Sequence, residues 1–189
     1  MKKQEINRVA GSFLNRVSNK LNESKEHFKS YHYSESISAS QECIELSIKA
    51  IFLLLKGEYP WGHKFNEKEF KKILKKIPEE LKYLDFPKLY LYSKFWESFY
   101  TVAKYGFEKL GVGADKLFEK EEADLALKHA EKCKNTANQL KIHIHKRRLA
   151  EETLKLRDRD ERVQKTIEEV LKKDRGKEIF TINKELDSC

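Results

Sequence analysis

Glycine and proline are scarce in this chain. Its 189 residues include seven Gly and three Pro, whereas sheet proteins need such residues in their many turns. Lys, Glu and Leu are abundant by contrast, and all three favour helices. The composition therefore predicts a soluble all-α protein.

Long apolar runs and a disulfide framework are also missing. The longest apolar run is AIFLLL at 50–55, far short of the ~20 residues that a membrane-spanning helix needs. The N-terminal sequence MKKQEINRVAGSFLNRV lacks the uninterrupted apolar core of a signal peptide. Cys43, Cys133 and Cys189 are too few for a disulfide scaffold. We therefore expect a cytoplasmic protein with no membrane association.

Familiar catalytic and metal-binding spacings are absent as well. The sequence contains no HExxH, GxSxG or P-loop pattern. GVGADK at 111–116 lacks a third Gly and follows no strand, so it is not a dinucleotide fingerprint. His129 and Cys133 are four residues apart, but no second pair completes four zinc ligands. We expect no metal and no cofactor, and we interpret Cys43 and Cys133 as small buried apolar residues.

Charge, in contrast, is plentiful. The chain has 39 basic and 31 acidic residues, for a formal net charge of +8. A basic surface can bind nucleic acid, a nucleotide or an acidic partner. The two signs are interleaved, however, and such charges also serve solubility alone. Both interpretations stay open at this point.

Apolar spacing predicts two long helices in the first third of the chain. From Ile6 to Phe28, apolar residues recur every four positions on one face, at Val9, Phe13, Val17 and Leu21. A second helix is predicted from about Ser34 to Lys56, with Ser34 or Ser36 as its N-cap and Gly57 ending it. It is the most apolar segment, so we place it at the centre of a bundle.

Loops and two further long helices follow. KGEYPWGHKF at 56–65 is predicted to be a loop, and a short helix follows it at 67–76. Pro78 marks the expected start of a third long region that ends at Tyr105, and a fourth helix starts near Glu119. Its predicted interior residues are Leu125, Leu127, Ala130, Cys133, Ala137, Leu140 and Ile144. This order predicts an antiparallel up-and-down bundle of four to five helices over residues 1–145.

Residues 146–189 form a charged extension. They hold 13 Lys/Arg and 11 Asp/Glu. Apolar residues nevertheless recur every seven positions, at Ile142, Leu149, Leu156, Val163 and Val170. At the complementary heptad position Ile167 is apolar, whereas Thr153 and Asp160 are polar. We expect a helix that packs on the bundle or on a second subunit, and then a loose C-terminal end.

The stretch YSESISASQECIELSIKAIFLLLKGEYPWGHKF resembles the HEPN domain, a helical family named for nucleotide binding in higher eukaryotes and prokaryotes. The shared pattern is E-L-x-x-K-A within a helix, followed by Gly, Pro and His, here Glu45, Leu46, Lys49, Ala50, Gly57, Pro60 and His63. YTVAKYGFEKLG and EEADLALKHAEKC are similar to the third-to-fourth helix passage of archaeal members. The resemblance covers about residues 5–145. It implies a bundle that is usually dimeric and often encoded beside a minimal nucleotidyltransferase, as in toxin–antitoxin pairs. We therefore expect a homodimer, with the charged extension packed on the second subunit.

The ribonuclease motif of many HEPN proteins, Arg followed by His after four to six residues, is absent here. Arg8 and Arg16 lead to no His at that spacing, so ribonuclease activity is not carried over and we lean against an enzyme. The corresponding stretch offers Lys104, Tyr105, Lys109 and Lys116, which either hold a phosphate or are ordinary solvated residues. Two loop residues, His63 and Trp61, either face a nucleotide or pack in the loop.

Three functions remain under consideration for this sequence. The first is a non-catalytic HEPN-like module that binds a nucleotide or RNA phosphate through a basic surface. The second is a dimeric interaction partner of a minimal nucleotidyltransferase. The third, which the residues favour least, is a ribonuclease without the usual Arg–His motif.

Overall fold

A computed structural model describes residues 3–60 and 65–186, and the side chains of residues 5–60 and 65–170. Two candidate residues, Trp61 and His63, lie outside the described residues. The five α-helices are α1 (Lys3–Lys29), α2 (Tyr33–Lys56), α3 (Glu67–Leu74), α4 (Phe86–Tyr105) and α5 (Lys120–Leu186). Across the described ranges there is no strand, and the one β-bridge joins Phe107 to Val112. The predicted all-α bundle is confirmed.

The chain divides into two compact units, Met1–His143 and Ile144–Cys189. The first unit contains α1 to α4 and the first part of α5, and the second contains the rest of α5. None of the helices in the described residues combines the length and the apolar character needed to cross a membrane.

The first unit is built around α2, as the sequence predicts. Most residues of α2 are buried, and its isoleucines and Leu53 have almost no exposed surface. A cluster of buried serines lets α1 approach α2 closely. The Ser24 hydroxyl donates to the Ser36 carbonyl at 2.8 Å, and the Ser36 hydroxyl donates back to the Ser24 carbonyl at 2.9 Å. Ser40 lies 2.7 Å from Ser24, between the hydroxyl oxygens. These bonds satisfy the buried hydroxyls.

The predicted N-cap of α2 is wrong. His32 occupies the N-cap position and makes no side-chain cap hydrogen bond. Ser34 and Ser36 are instead buried inside the helix, where Ser36 serves the packing against α1. At the other end the prediction is confirmed, because Gly57 adopts φ 83° and its N–H bonds the Leu53 carbonyl.

The third long helix begins later than predicted. Pro78 precedes a short 3₁₀-helix, Glu79–Leu84, and the long helix α4 starts only at Phe86, with Pro87 in its first turn. Proline suits the first turn of a helix because its missing N–H has no partner there anyway. Pro87 fits that rule, whereas Pro78 is the N-cap of the short helix. The sequence did not distinguish these two helix starts.

Helices α4 and α5 pack through an aromatic cluster around Trp96. The Trp96 indole N–H donates to His129 Nδ1 at 3.0 Å, and Tyr92 stacks on the His129 ring with centroids 3.7 Å apart. Burial lowers the pKa of His129. Leu125 was predicted to be interior, but 42% of its surface is exposed. The other predicted interior residues up to Leu140 are buried, and Ile144 is partly buried.

Both described cysteines are buried, as expected. The Cys43 thiol lies 3.8 Å from the Ala130 carbonyl oxygen, so it joins α2 to α5. Burial raises the pKa of Cys43 to about 12 and also raises the pKa of Cys133. These thiols therefore remain protonated at neutral pH and act as small packing residues.

A compact turn follows α4. Gly106 adopts φ 79° with ψ −170°, a conformation that is essentially restricted to glycine. A Cβ at this position would lie 2.5 Å from the Val112 carbonyl oxygen. The close approach lets the chain fold back, so that Ala114 and Asp115 lie beside the C-terminal end of α4.

The second unit, as far as its side chains are described, presents an exposed helix surface. Residues 149–170 are all exposed. Ion pairs four residues apart stabilise this part of the helix, including Arg148 with Glu152 at 2.8 Å. The backbone is helical through Leu186, and the loose C-terminal end stays a prediction.

Candidate functional site

A cleft of about 350 Å³ opens between α1, α2 and α4, and we call it the Tyr100 cleft. It is lined by Phe13, Arg16, Glu42, Glu45, Leu46, Lys49, Tyr59 and Tyr100. Phe13 and Tyr59 meet edge to face with ring centroids 4.8 Å apart. The cleft thus combines aromatic rings with charged groups.

One cation of the Tyr100 cleft is neutralised and one is not. Lys49 and Glu45 form a buried ion pair of 2.7 Å on successive turns of α2. Arg16 is exposed, and within the described residues it makes no ion pair. Its guanidinium carbon lies 6.0 Å from the centroid of the Phe13 ring. Arg16 is therefore the cation of this cleft that remains available to an anion.

Lys104, at the C-terminal end of α4, is a second cation close to Tyr100. Its ammonium donates to the Tyr100 hydroxyl at 3.0 Å and lies 5.3 Å and 5.7 Å from the ring centroids of Tyr100 and Tyr105. The hydrogen bond to Tyr100 raises the pKa of Lys104, so this side chain is cationic at neutral pH. Lys104 also makes no ion pair with a described carboxylate.

A second cleft of about 440 Å³, the Lys104 cleft, adjoins the first and shares Glu42 with it. Its lining residues are Lys20, Glu23, His27, Ser34, Glu35, Ser38, Ala39, Glu42, Ala103, Lys104, Ala114 and Asp115. Lys20 contacts two of these carboxylates, Glu23 at 2.8 Å and Glu42 at 3.0 Å. Four carboxylates outnumber the two lysines in this cleft, whereas the Tyr100 cleft is lined by two cations and two carboxylates, so the Lys104 cleft as a whole attracts an anion less.

Glu35 is one of the acidic groups of the Lys104 cleft, and it lies at the start of α2. Burial acts to raise the pKa of this carboxyl, but the hydrogen bond from the Ser34 hydroxyl, at 2.8 Å, and nearby groups outweigh it, so the pKa of Glu35 is lowered. Glu35 is consequently ionised at neutral pH. Glu35 therefore adds to the negative charge of the Lys104 cleft, and in this charge the Lys104 cleft differs from the Tyr100 cleft.

The residues predicted from the sequence do not form one cluster. Lys104 and Tyr105 lie together, as their cation–π contact shows. Lys109 and Lys116 are exposed on separate 3₁₀ turns, Glu108–Leu110 and Ala114–Lys116, and line neither cleft.

Arg16 is the residue that sequence reasoning missed. A helical signal was present, because Arg16 follows Phe13 by three residues and precedes Lys20 by four, which puts all three near one face of α1. The apolar spacing predicts only the buried members of that face. On α1, the charged residues next to the buried apolar face are the ones whose side chains line the two clefts.

The side chains of the Tyr100 cleft are suited to binding a phosphorylated ligand. Arginine and lysine hold phosphate oxygens, and tyrosine rings offer faces on which a base can stack. Among its described lining residues there is no histidine to serve as a general acid or base. In the part of the chain that the structure describes, no three His, Cys, Asp or Glu side chains are grouped to hold a metal ion.

The sequence model of the HEPN domain family matches residues 10–140. No curated protein matches the chain. Among solved structures, it is similar to TT1696 from Thermus thermophilus, with a TM-score of 0.54 and 20% identity over 69% of this chain and 97% of that one. At this identity the likeness concerns the fold alone. Because the family match covers more than half of its residues, this chain belongs to the HEPN domain family.

Proposed function

We propose that the protein is a non-catalytic HEPN module that binds a nucleotide or a single-stranded RNA phosphate at the Tyr100 cleft. The observation that carries this proposal is the position of two cations, Arg16 and Lys104, beside the half-buried ring of Tyr100. Neither cation is paired with a described carboxylate, so neither must give up an ion pair to accept a phosphate.

Aromatic side chains support a nucleotide rather than a bare anion as the ligand. Tyr59 and Phe13 line the same cleft as Arg16, and Tyr100 borders both cations. Stacking a base on an aromatic ring contributes about 1–3 kcal/mol and tolerates every base. We therefore expect weak selectivity among bases and a clear preference for a nucleotide over inorganic phosphate.

Binding should be measured by fluorescence anisotropy with a labelled single-stranded RNA decamer, and by calorimetry with AMP. Arg16→Ala and Lys104→Ala should each weaken RNA binding about tenfold, because each removes one phosphate contact. If about two phosphates are neutralised, a plot of the logarithm of the RNA-binding constant against the logarithm of the salt concentration should have a slope of about −1.4. Tyr100→Phe should have a smaller effect, because the ring remains although the hydrogen bond from Lys104 is lost.

Lys109→Ala and Lys116→Ala are the matched controls, since both lysines are exposed and line neither cleft. They should change RNA binding less than twofold at 150 mM salt, which screens charges beyond roughly 8 Å. Equal losses in these controls and in the Arg16 and Lys104 variants would mean that the ligand is held by diffuse charge rather than by the cleft. Absence of saturable binding would refute the proposal altogether.

The non-catalytic part of the proposal has its own test. Purified protein should leave RNA oligonucleotides intact, because the family's Arg–His pair is missing from the sequence. Cleavage that survives stringent repurification and disappears with His63→Ala would contradict this prediction. His27→Ala is the companion variant, because His27 is the histidine among the described lining residues of the Lys104 cleft.

A second candidate function is that of a dimeric interaction partner of a minimal nucleotidyltransferase. The observation that favours it is the exposed apolar series of α5, in which Leu149, Leu156 and Val163 are each about half exposed. Co-purification with a minimal nucleotidyltransferase encoded in the same genome would support this role. Loss of that complex in a chain ending at His145 would assign the contact to α5, and failure to co-purify would remove the candidate.

A further inference from the structure

A third cleft, of about 330 Å³, lies where the C-terminal ends of α2 and α3 come together, and we call it the Lys72 cleft. Lysines from both helix ends line it, together with one apolar side chain. Its lining residues are Lys56, Lys72, Ile73, Lys75 and Lys76. No carboxylate is among these described lining residues, whereas carboxylates line both the Tyr100 cleft and the Lys104 cleft. The Lys72 cleft therefore carries charge of one sign.

Three of the four lysines are free to meet an anion. Lys56 is partly buried and pairs with Glu58 at 2.6 Å. Lys72, Lys75 and Lys76 are exposed, and they make no ion pair with any carboxylate that the structure describes. An incoming anion would not have to displace a carboxylate from these three ammonium groups.

The helix ends account for only part of this positive charge. Lysines stabilise a helix C-terminus, where the backbone carries about half a negative charge. The ends of α2 and α3 together offset about one positive charge, and Glu58 offsets a second. Glu67 and Glu69 at the start of α3 are matched in number by Lys68 and Lys71 of the same helix. About two of the four positive charges of the cleft therefore remain for a ligand.

The walls of the Lys72 cleft are almost entirely apolar, because they consist of Ile73 and the methylene stems of the lysines. Apolar walls focus the field of the charges that border a cleft. The sugar and base of a nucleotide can rest on such walls, while the phosphates on either side meet the ammonium groups. No aromatic ring is among the lining residues, so a base gains less here than in the Tyr100 cleft. The Lys72 cleft thus suits part of a longer strand better than a free mononucleotide.

The Lys72 cleft and the Tyr100 cleft lie along the same face of α2. Lys56 lines the first and Lys49 lines the second, seven residues earlier in the helix. Seven residues make nearly two turns, so the two side chains extend from one face about 10 Å apart along the axis. Tyr59, which also lines the Tyr100 cleft, follows Lys56 by three residues. Successive nucleotides of a stacked strand are about 3.4 Å apart, so roughly three or four nucleotides bridge the two clefts.

We propose that the Lys72 cleft holds further phosphates of the RNA strand whose anchoring nucleotide occupies the Tyr100 cleft. The ligand is then a single-stranded RNA of at least about four nucleotides rather than a mononucleotide. This inference rests on the proposed function, because the Tyr100 cleft anchors the strand. Once the strand is anchored, its remaining phosphates reach the Lys72 cleft at an effective concentration on the order of millimolar, so weak contacts there increase the affinity.

Oligoadenylates of two to ten nucleotides, measured beside AMP, separate the two clefts. The parent protein should bind a hexanucleotide at least about tenfold more tightly than a dinucleotide, which is too short to reach both clefts. If about four phosphates of the decamer are neutralised, the plot of log binding constant against log salt should have a slope of about −2.8. The double variant Lys72→Ala, Lys76→Ala should bind the decamer about tenfold more weakly, with a slope of about −1.4. Its affinity for AMP should stay within about twofold of that of the parent.

The double variant Lys68→Ala, Lys71→Ala is the matched control. It removes the same charge from the same helix, and neither lysine lines any of the three clefts. It should change decamer binding less than about twofold at 150 mM salt. Equal losses of decamer affinity in the two double variants, or no loss in either, would overturn the inference. Displacement of the decamer by a poly-glutamate peptide as readily as by unlabelled decamer would also overturn it, because the cleft would then accept any polyanion.

The AMP measurements keep this inference distinct from the proposed function. Saturable AMP binding that is weakened by Arg16→Ala, together with a decamer affinity unchanged in Lys72→Ala, Lys76→Ala, would leave the Tyr100 cleft intact and refute the Lys72 cleft. Decamer binding that is lost in that double variant but unchanged in Arg16→Ala would refute the shared strand.

Discussion

Acid should destabilise the first unit through His129, whose Nδ1 accepts the indole N–H of Trp96 at 3.0 Å. A protonated imidazole has no acceptor, so protonation would leave two donors facing each other and the buried Trp96 N–H without a partner. Burial lowers the pKa of His129 below its ordinary value of 6.5. The unfolded chain therefore binds a proton at a higher pH than the folded chain, and the free energy of unfolding falls as the pH drops below about 6.5.

The size of this effect has an upper bound. One proton changes the free energy of unfolding by at most about 1.4 kcal/mol per pH unit. Because the His129 ring is only partly buried, solvent screening reduces the effect, and we expect a loss of about half that bound between pH 6.5 and 5.5. The loss of unfolding free energy should level off once the pH is below the pKa of His129 in the folded protein.

Urea unfolding at pH 7.5, 6.5 and 5.5 measures this loss. His129→Gln should be less stable than the parent at pH 7.5, since its packing against Tyr92 is lost, but its stability should depend less on pH. His145→Gln is the matched control, because His145 is exposed on the same helix, and it should keep the pH dependence of the parent. If His129→Gln and the parent lose the same free energy on acidification, the role assigned to the Trp96–His129 bond is wrong.

Two further predictions concern the backbone turn and the thiols. Gly106→Ala should destabilise the first unit by about 2–4 kcal/mol, because a Cβ there meets backbone atoms and the conformation is restricted to glycine. Gly111→Ala is the control and should cost about 1 kcal/mol, because nothing lies within 4 Å of a Cβ at that position. Equal midpoints of urea unfolding for the two variants would contradict this prediction. In the Cys189→Ser variant, Cys43 and Cys133 should not react with a thiol reagent at pH 8 until the protein unfolds, since at a pKa of about 12 only about one Cys43 in ten thousand is ionised. Rapid reaction of either thiol in the folded protein would show that it is accessible.

The helices were largely predictable because their signals are local. The four-residue spacing of Val9, Phe13 and Val17 follows from helix geometry, and Phe13 and Val17 are buried as the pattern requires. Gly57 ends α2 because the left-handed conformation at that position is easiest for glycine. Such features need only the neighbouring residues, so the sequence alone reveals them.

The errors arise where distant contacts override local preference. Ser36 has the chemistry of an N-cap, but its hydroxyl bonds Ser24 on another helix. Leu125 is as apolar as its neighbours, yet it lies on the exposed side of α5. The periodicity of apolar residues shows that a helix has a buried face. It does not show where that face ends when apolar residues also lie next to its edge.

The candidate site was predictable only in part, for the same reason. Lys104 and Tyr105 were found because they are adjacent in a stretch that the HEPN resemblance had marked. Arg16 is far from that stretch in sequence, and the packing of α1 and α4 on α2 brings it to the same cleft as Tyr100. Lys109 and Lys116 are near Lys104 in sequence but lie on turns outside the clefts.

The most direct test of the Tyr100 cleft is an amide NMR titration of the folded protein with AMP. We expect saturable shifts centred on Arg16, Tyr59 and Tyr100, with little change at Lys109 and in the α5 segment 146–170. Shifts of similar size at all exposed lysines, or the largest shifts away from the cleft, would contradict the claim that this protein binds a nucleotide phosphate there.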